Sequence, residues 1–147
     1  MSGEIKNRVT ESSLISFDLE DYYPVGNRVQ LDISQFLIEG MLLKEKDFRE
    51  SVKNHNWKQY QGNFIALTNN NDELIPAWAF MLLTIQLNCI AKNVVIGNLI
   101  DLENSIFSKI INSLDTSKYI NKPLIIKGCS NKPIPENSYI QLIQKLQ

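Results

Sequence analysis

The side chain best suited to chemistry in this sequence is Cys129, in the segment Lys127-Gly128-Cys129-Ser130-Asn131-Lys132-Pro133-Ile134-Pro135. The segment follows an apolar run that reads as a parallel strand and precedes a helix opened by Pro135. Open α/β sheets meet their ligands at that end of their strands. A thiol near a helix start and near cations ionises readily, because both favour the thiolate. Between Asp115 and Glu136 stand Lys118, Lys122, Lys127 and Lys132, with no carboxylate among them. The expectation is a nucleophilic or metal-binding Cys129, with Lys127, Ser130 and Lys132 forming a ligand- or anion-binding set around it. The plainer alternative is a small loop residue beside a solvated basic face. No histidine stands near Cys129 in sequence to act as its base, which counts against a protease-like site.

Two further groups are candidates. Asp18, Glu20 and Asp21 cluster at the end of the first strand, where carboxylates suit a hard cation or an acid–base pair. They equally suit a turn whose carboxylates cap neighbouring amides. His55, the only histidine, follows a helix in Asn54-His55-Asn56-Trp57. Capping the helix end is its expected role, with metal ligation or proton transfer as the alternative. The candidate metal ligands are therefore Cys129, His55, Asp18, Glu20 and Asp21. Cys89, inside an apolar helix, is expected to pack in the core. There is no Gly-rich phosphate loop, CxxC pair, HExxH or GxSxG, and the sequence points to no particular cofactor.

The elements that must position these residues follow from periodicity. Leu14 to Leu19 and Arg28 to Ile33 alternate apolar and polar side chains, and read as a hairpin or a pair of edge strands. Ser34 reads as the cap of a short helix closed by Gly40. Lys44 to His55 is helical, anchored by Phe48 and Val52. Asn63 to Thr68 and Asn93 to Gly97 are short buried strands, and Pro123 to Lys127 is a further strand. Between and after them, helices begin at Pro76, about Leu99 and Pro135. The helix from Leu99 has Leu99, Leu102, Ile106, Ile110 and Leu114 on one face. The helix from Pro76 is apolar all round. It is expected to lie between layers or to present its outer face to a second copy of the chain, a homodimer. Apolar strands alternating with helices predict an α/β fold, an open and mostly parallel sheet of βα units.

The 147 residues, 44% apolar and 21% charged, suit one globular domain over residues 1–147. Net charge is −1. Such a chain lacks the basic footprint of a general nucleic-acid binder. The polar opening MSGEIKNRV carries no secretory signal, and the apolar run from Ile75 to Ala91 is too interrupted for a membrane span. Two cysteines fit a reducing compartment, so a cytoplasmic location with no membrane or nucleic-acid partner is expected.

Shifting the chain by 59 residues overlays two segments. Phe48 then meets Phe107, Tyr60 meets Tyr119, Ile75 meets Ile134, Pro76 meets Pro135, Leu83 meets Leu142 and Leu87 meets Leu146. Internal duplication and two βα units alike by architecture both account for this. The overlay predicts one more strand or tail after Gln147, corresponding to Val94-Val95-Ile96-Gly97.

With EIKNRV, DLEDYYP, LLKEKDFR, HNWKQYQG and IIKGCSNKPIP in view, the chain resembles a family of uncharacterised bacterial proteins, domain of unknown function 2480. The likeness runs from the first residues to Gln147. It implies no assigned activity, cofactor or catalytic residue. It does imply a longer chain with a further cysteine, a second cysteine position at or beside Asn70, and a genomic setting of iron–sulfur cluster assembly. On this footing the expected function is a non-enzymatic accessory or binding protein with a protein partner, linked to sulfur or iron–sulfur metabolism through Cys129. The rivals are a thiol-dependent enzyme or persulfide carrier, and a structural homodimer without a site.

Overall fold

The computed structural model describes residues 14–71, 73–128 and 131–147. Five strands are seen: β1 (Ile15–Asp18), β2 (Arg28–Asp32), β3 (Phe64–Thr68), β4 (Asn93–Ile96) and β5 (Leu124–Lys127). Four α-helices accompany them among the described residues: α1 (Glu45–Asn54), α2 (Ala77–Leu87), α3 (Leu99–Ser113) and α4 (Glu136–Leu146). The fold is α/β, and among the described residues the strands pair in parallel. The strands form two sheets, ordered β2-β3-β4 and β1-β5. β1 and β2 do not pair with each other; each is an edge strand of its own sheet, so the hairpin alternative is set aside.

The chain divides into a central unit, Val25–Ile106, and a terminal unit that joins the residues up to Pro24 with Phe107–Gln147. The dividing point falls within α3.

In the central unit β3 reads Phe-Ile-Ala-Leu-Thr, and Phe64 to Leu67 are all buried. A strand flanked on both edges and covered on both faces has no side for polar residues, which explains the unbroken apolar run. Beside it α1 is amphipathic, with Phe48 and Val52 one turn apart and buried. The indole N–H of Trp57 donates to the Val52 carbonyl at 2.7 Å, satisfying one of the acceptors α1 leaves open at its end. Phe36 stacks on Trp57 at 5.7 Å between ring centres, and Ile33, Ile65, Leu67, Ala79, Leu83 and Leu87 complete the core. The Arg28 guanidinium pairs with Glu103 at 2.5 Å and lies 4.7 Å from the centre of the Phe64 ring.

The terminal unit is built around Phe17, Leu19, Phe107, Ile111, Ile134 and Leu142, all buried. Phe17 stacks on Tyr22 at 5.4 Å and meets the edge of Tyr119 at 5.7 Å.

The two units repeat one geometry. β1 pairs with β5 as Ile15–Leu124, Ser16–Ile125, Phe17–Ile126 and Asp18–Lys127. β2 pairs with β3 as Val29–Ile65, Gln30–Ala66, Leu31–Leu67 and Asp32–Thr68. Shifting the first strand by 14 residues and the second by 59 turns one register into the other. The same shifts bring the 3-10 turn Leu19–Tyr22 onto Ile33–Phe36, and α4 onto α2 end to end.

Several local expectations need correcting. The cap of the turn after β2 is Asp32, whose carboxylate accepts the Ser34 N–H at 2.9 Å; Ser34 is the donor. α3 buries Leu102, Glu103, Ile106, Phe107 and Ile111, while Leu99 is exposed and Ile110 and Leu114 are only half-buried. The buried ridge is rotated toward Phe107, the largest apolar side chain on the helix. Of the two alternatives for α2, a place between layers of this chain is set aside: Ala79, Leu83 and Leu87 face inward, whereas Met81 is 63% and Ile85 67% exposed. Cys89 is exposed rather than packed in the core, because α2 ends at Leu87 and the chain has already turned away from the core face. No helix among the described residues is long and apolar enough to cross a membrane.

Candidate functional site

The carboxyl ends of β1 and β5 bring two of the three candidate groups together. β1 ends at Asp18, whose carboxylate accepts the Glu20 N–H at 2.9 Å and so starts the 3-10 turn. Leu19, fully buried, pins that turn to the core, and Tyr22 lies flat against Phe17. Glu20 is thereby aimed across at the loop after β5. Its Oε1 accepts the backbone N–H groups of Asn131 at 2.8 Å and Lys132 at 3.2 Å. On the other side of the loop, Lys127 stands opposite Asp18 in the strand register. Cys129 and Ser130, between Lys127 and Asn131 in the sequence, lie outside the described residues.

The electrostatics differ from those read along the chain. The sequence between Asp115 and Glu136 is purely basic, but the fold sets Asp18 and Glu20 against the loop from β1 and its turn. The Lys132 ammonium lies 5.4 Å from the centre of the Tyr23 ring, and that of Lys118 lies 5.2 Å from the centre of the Tyr119 ring. Two amides that would otherwise greet an external anion are occupied by an internal carboxylate. Burial, and the neighbouring Tyr119, push the Tyr22 phenol above its ordinary 10.0, so it stays protonated and uncharged here. Asp21 is exposed.

The central unit holds the counterpart of this arrangement, which sequence reasoning missed. Asp32, 14 residues after Asp18, accepts the Asn70 side-chain amide at 2.9 Å besides capping its own turn. Asn70 is the residue that overlays Cys129 under the 59-residue shift. Burial pushes the Asp32 carboxyl up, but the hydrogen bonds from Ser34 and Asn70 outweigh it and hold the group below 3.8. The signal was available: Asp-Leu-Glu-Asp-Tyr after β1 and Asp-Ile-Ser-Gln-Phe after β2 both place an acid ahead of a buried aliphatic residue.

His55 belongs to the central unit. Its backbone caps α1, as expected. Its ring packs edge-on against Phe36 and Trp57 at 5.0 and 4.8 Å, and Nε2 lies 2.7 Å from the Tyr60 hydroxyl. Burial lowers its pKa below the usual 6.5. Among the described residues, no three His, Cys, Asp or Glu side chains converge to hold a metal ion.

Residues 3–147 match the family model described as "Protein of unknown function (DUF2480)", and the chain belongs to that family. No curated protein and no solved structure matches it.

Proposed function

We propose that this member of a family of unknown function is a cytoplasmic accessory or binding protein that presents Cys129 as a contact thiol in sulfur or iron–sulfur metabolism. The observation that carries the reading is the tie between Glu20 and the amides of Asn131 and Lys132, which fixes the far side of the thiol-bearing loop at the carboxyl end of a parallel strand pair. The counterpart contact supports it. Asn70, the residue that overlays Cys129, donates to Asp32 at the matching place in the central unit. Lys127 and Lys132 supply the positive charge that favours the thiolate, and a thiolate prefers soft metals such as iron or zinc over magnesium. The sulfur context itself comes from the family resemblance.

The test is the rate of thiol alkylation against pH, in a Cys89→Ser background because Cys89 is exposed and would react as well. An apparent pKa for Cys129 below the ordinary value of about 8.5 supports a tuned contact thiol. A value at or above it removes the proposal.

A homodimer is the second reading, favoured by the face of α2 that carries Met81 and Ile85. Light scattering across a concentration series tests it: a chain that remains a monomer throughout excludes it.

A further inference from the structure

We propose that two copies of this chain associate through α2, packed antiparallel about a two-fold axis, with Met81 of each opposite Ile85 of the other. The inference rests on the homodimer reading above and adds its contact face and its direction. Neither Cys129 nor the acidic turn enters it.

α2 has two apolar sides. Ala79, Leu83 and Leu87 recur every four residues and face the core. On the opposite side Trp78, Met81, Ile85 and Asn88 are spaced by three, four and three residues, the spacing of a helix–helix seam. Met81 and Ile85 lie at its middle, both largely exposed. No charged residue occurs between Ile75 and Ala91. Such a face suits its own copy, because a two-fold contact sets it against itself and buries no charge. The fold does not require it. α4 holds the equivalent place in the terminal unit, and there Glu136, Asn137 and Gln144 stand where α2 has Ala77, Trp78 and Ile85.

Two other occupants fit the face less well. Residues 1–13 are polar, with Met1, Ile5 and Val9 their only apolar side chains. The strand that the 59-residue overlay expects after Gln147 answers to β4 and belongs beside β5, not on α2.

Charge sets the direction. The Arg49 guanidinium lies 5.6 Å from the centre of the Trp78 ring, beside the start of α2. α2 has no basic side chain in its last turn, where the helix carbonyls leave the end partly negative. An antiparallel partner brings Arg49 of one copy to that end of the other and opposes the two helix dipoles. A parallel pair does neither. With 11 residues α2 is about 16 Å long, so the contact belongs with the small, transient interfaces and forms at high protein concentration.

The experiment is disulfide trapping on the full chain, with Cys89 and Cys129 both replaced by serine. Protein carrying Met81→Cys is mixed with protein carrying Ile85→Cys and oxidised with copper–phenanthroline, and the products are read by mass spectrometry. Both positions are exposed, and circular dichroism checks that the variants remain folded. The mixed disulfide is expected at about ten times either symmetric one, because only that pair brings its Cβ atoms within about 4.5 Å. Symmetric disulfides in excess overturn the antiparallel arrangement. So does a dimer, seen by light scattering, that is trapped at these positions no faster than at Glu50→Cys on the exposed face of α1; that result leaves the homodimer reading in place. A chain that stays monomeric at millimolar concentration overturns both.

Discussion

The imidazole Nε2 of His55 lies 2.7 Å from the hydroxyl of Tyr60, with the two rings stacked at 20° to each other. Burial lowers the His55 pKa and raises that of Tyr60, so both side chains are held neutral. Because the folded state binds the His55 proton less tightly than the unfolded chain, stability from this pair is complete above pH 6.5. It is lost as pH falls through the lower folded value. Urea unfolding across that window is expected to show declining stability in the native chain and a flatter profile in His55→Gln. A His55→Gln slope parallel to the native one would contradict this assignment.

Gly97 is expected to resist substitution. Its φ is 142°, and a Cβ there would sit 2.2 Å from Asp101 Oδ2. That carboxylate accepts the Asn98 N–H while the Asn98 side chain accepts the Asp101 N–H, both at 2.9 Å, a reciprocal cap on α3. Gly97→Ala should cost about 1–3 kcal/mol in chemical denaturation, through backbone strain and disruption of the cap. An effect within the noise of the measurement would mean that the turn relaxes freely.

α2 offers a contrast between its two faces. Leu83 is fully buried, and Leu83→Ala should cost about 2–5 kcal/mol by leaving a cavity. Met81 is 63% exposed, and Met81→Ala should change monomer stability by less than about 0.5 kcal/mol. Met81→Asp separates folding from association: if α2 forms a dimer, this variant stays folded by circular dichroism but sediments as a monomer.

Glu20→Gln keeps the shape of the side chain and removes its charge. The amides of Asn131 and Lys132 lose a charged acceptor, with an expected loss of about 1 kcal/mol. Removing a negative charge next to the loop should also favour the Cys129 thiolate, so alkylation near neutral pH should accelerate in the Cys89→Ser background. A rate unchanged from the parent would place the thiol out of reach of Glu20.

Much of the architecture was legible because it is governed by local patterns. The unbroken run of β3, the spacing of Phe48 and Val52, and prolines 76 and 135 ahead of their helices each announce their element. The misreadings share a cause: they depend on where a helix stops or which way it faces. Cys89 follows an apolar helix without a break in composition, and only the end of α2 at Leu87 takes it to the surface. Met81 and Ile85 are as apolar as Leu83, so composition cannot say which side meets the core. The candidate site was half visible. Asp18 capping Glu20 is local, but the Glu20 bond to Asn131 spans 111 positions, and no window along the chain reports it. The pairing of Asp32 with Asn70 was hidden for the same reason.

The partnership of β1 with β5 also sets an order of events during synthesis. The central unit is encoded in one continuous stretch, so its sheet can assemble as soon as α2 and β4 have left the ribosome. β1 emerges before any of it, yet must wait for its partner until β5 has been translated, more than a hundred residues later. Its sequence suits that delay: Ser16 and Asp18 interrupt its apolar residues, which makes a waiting strand less prone to stick to its neighbours.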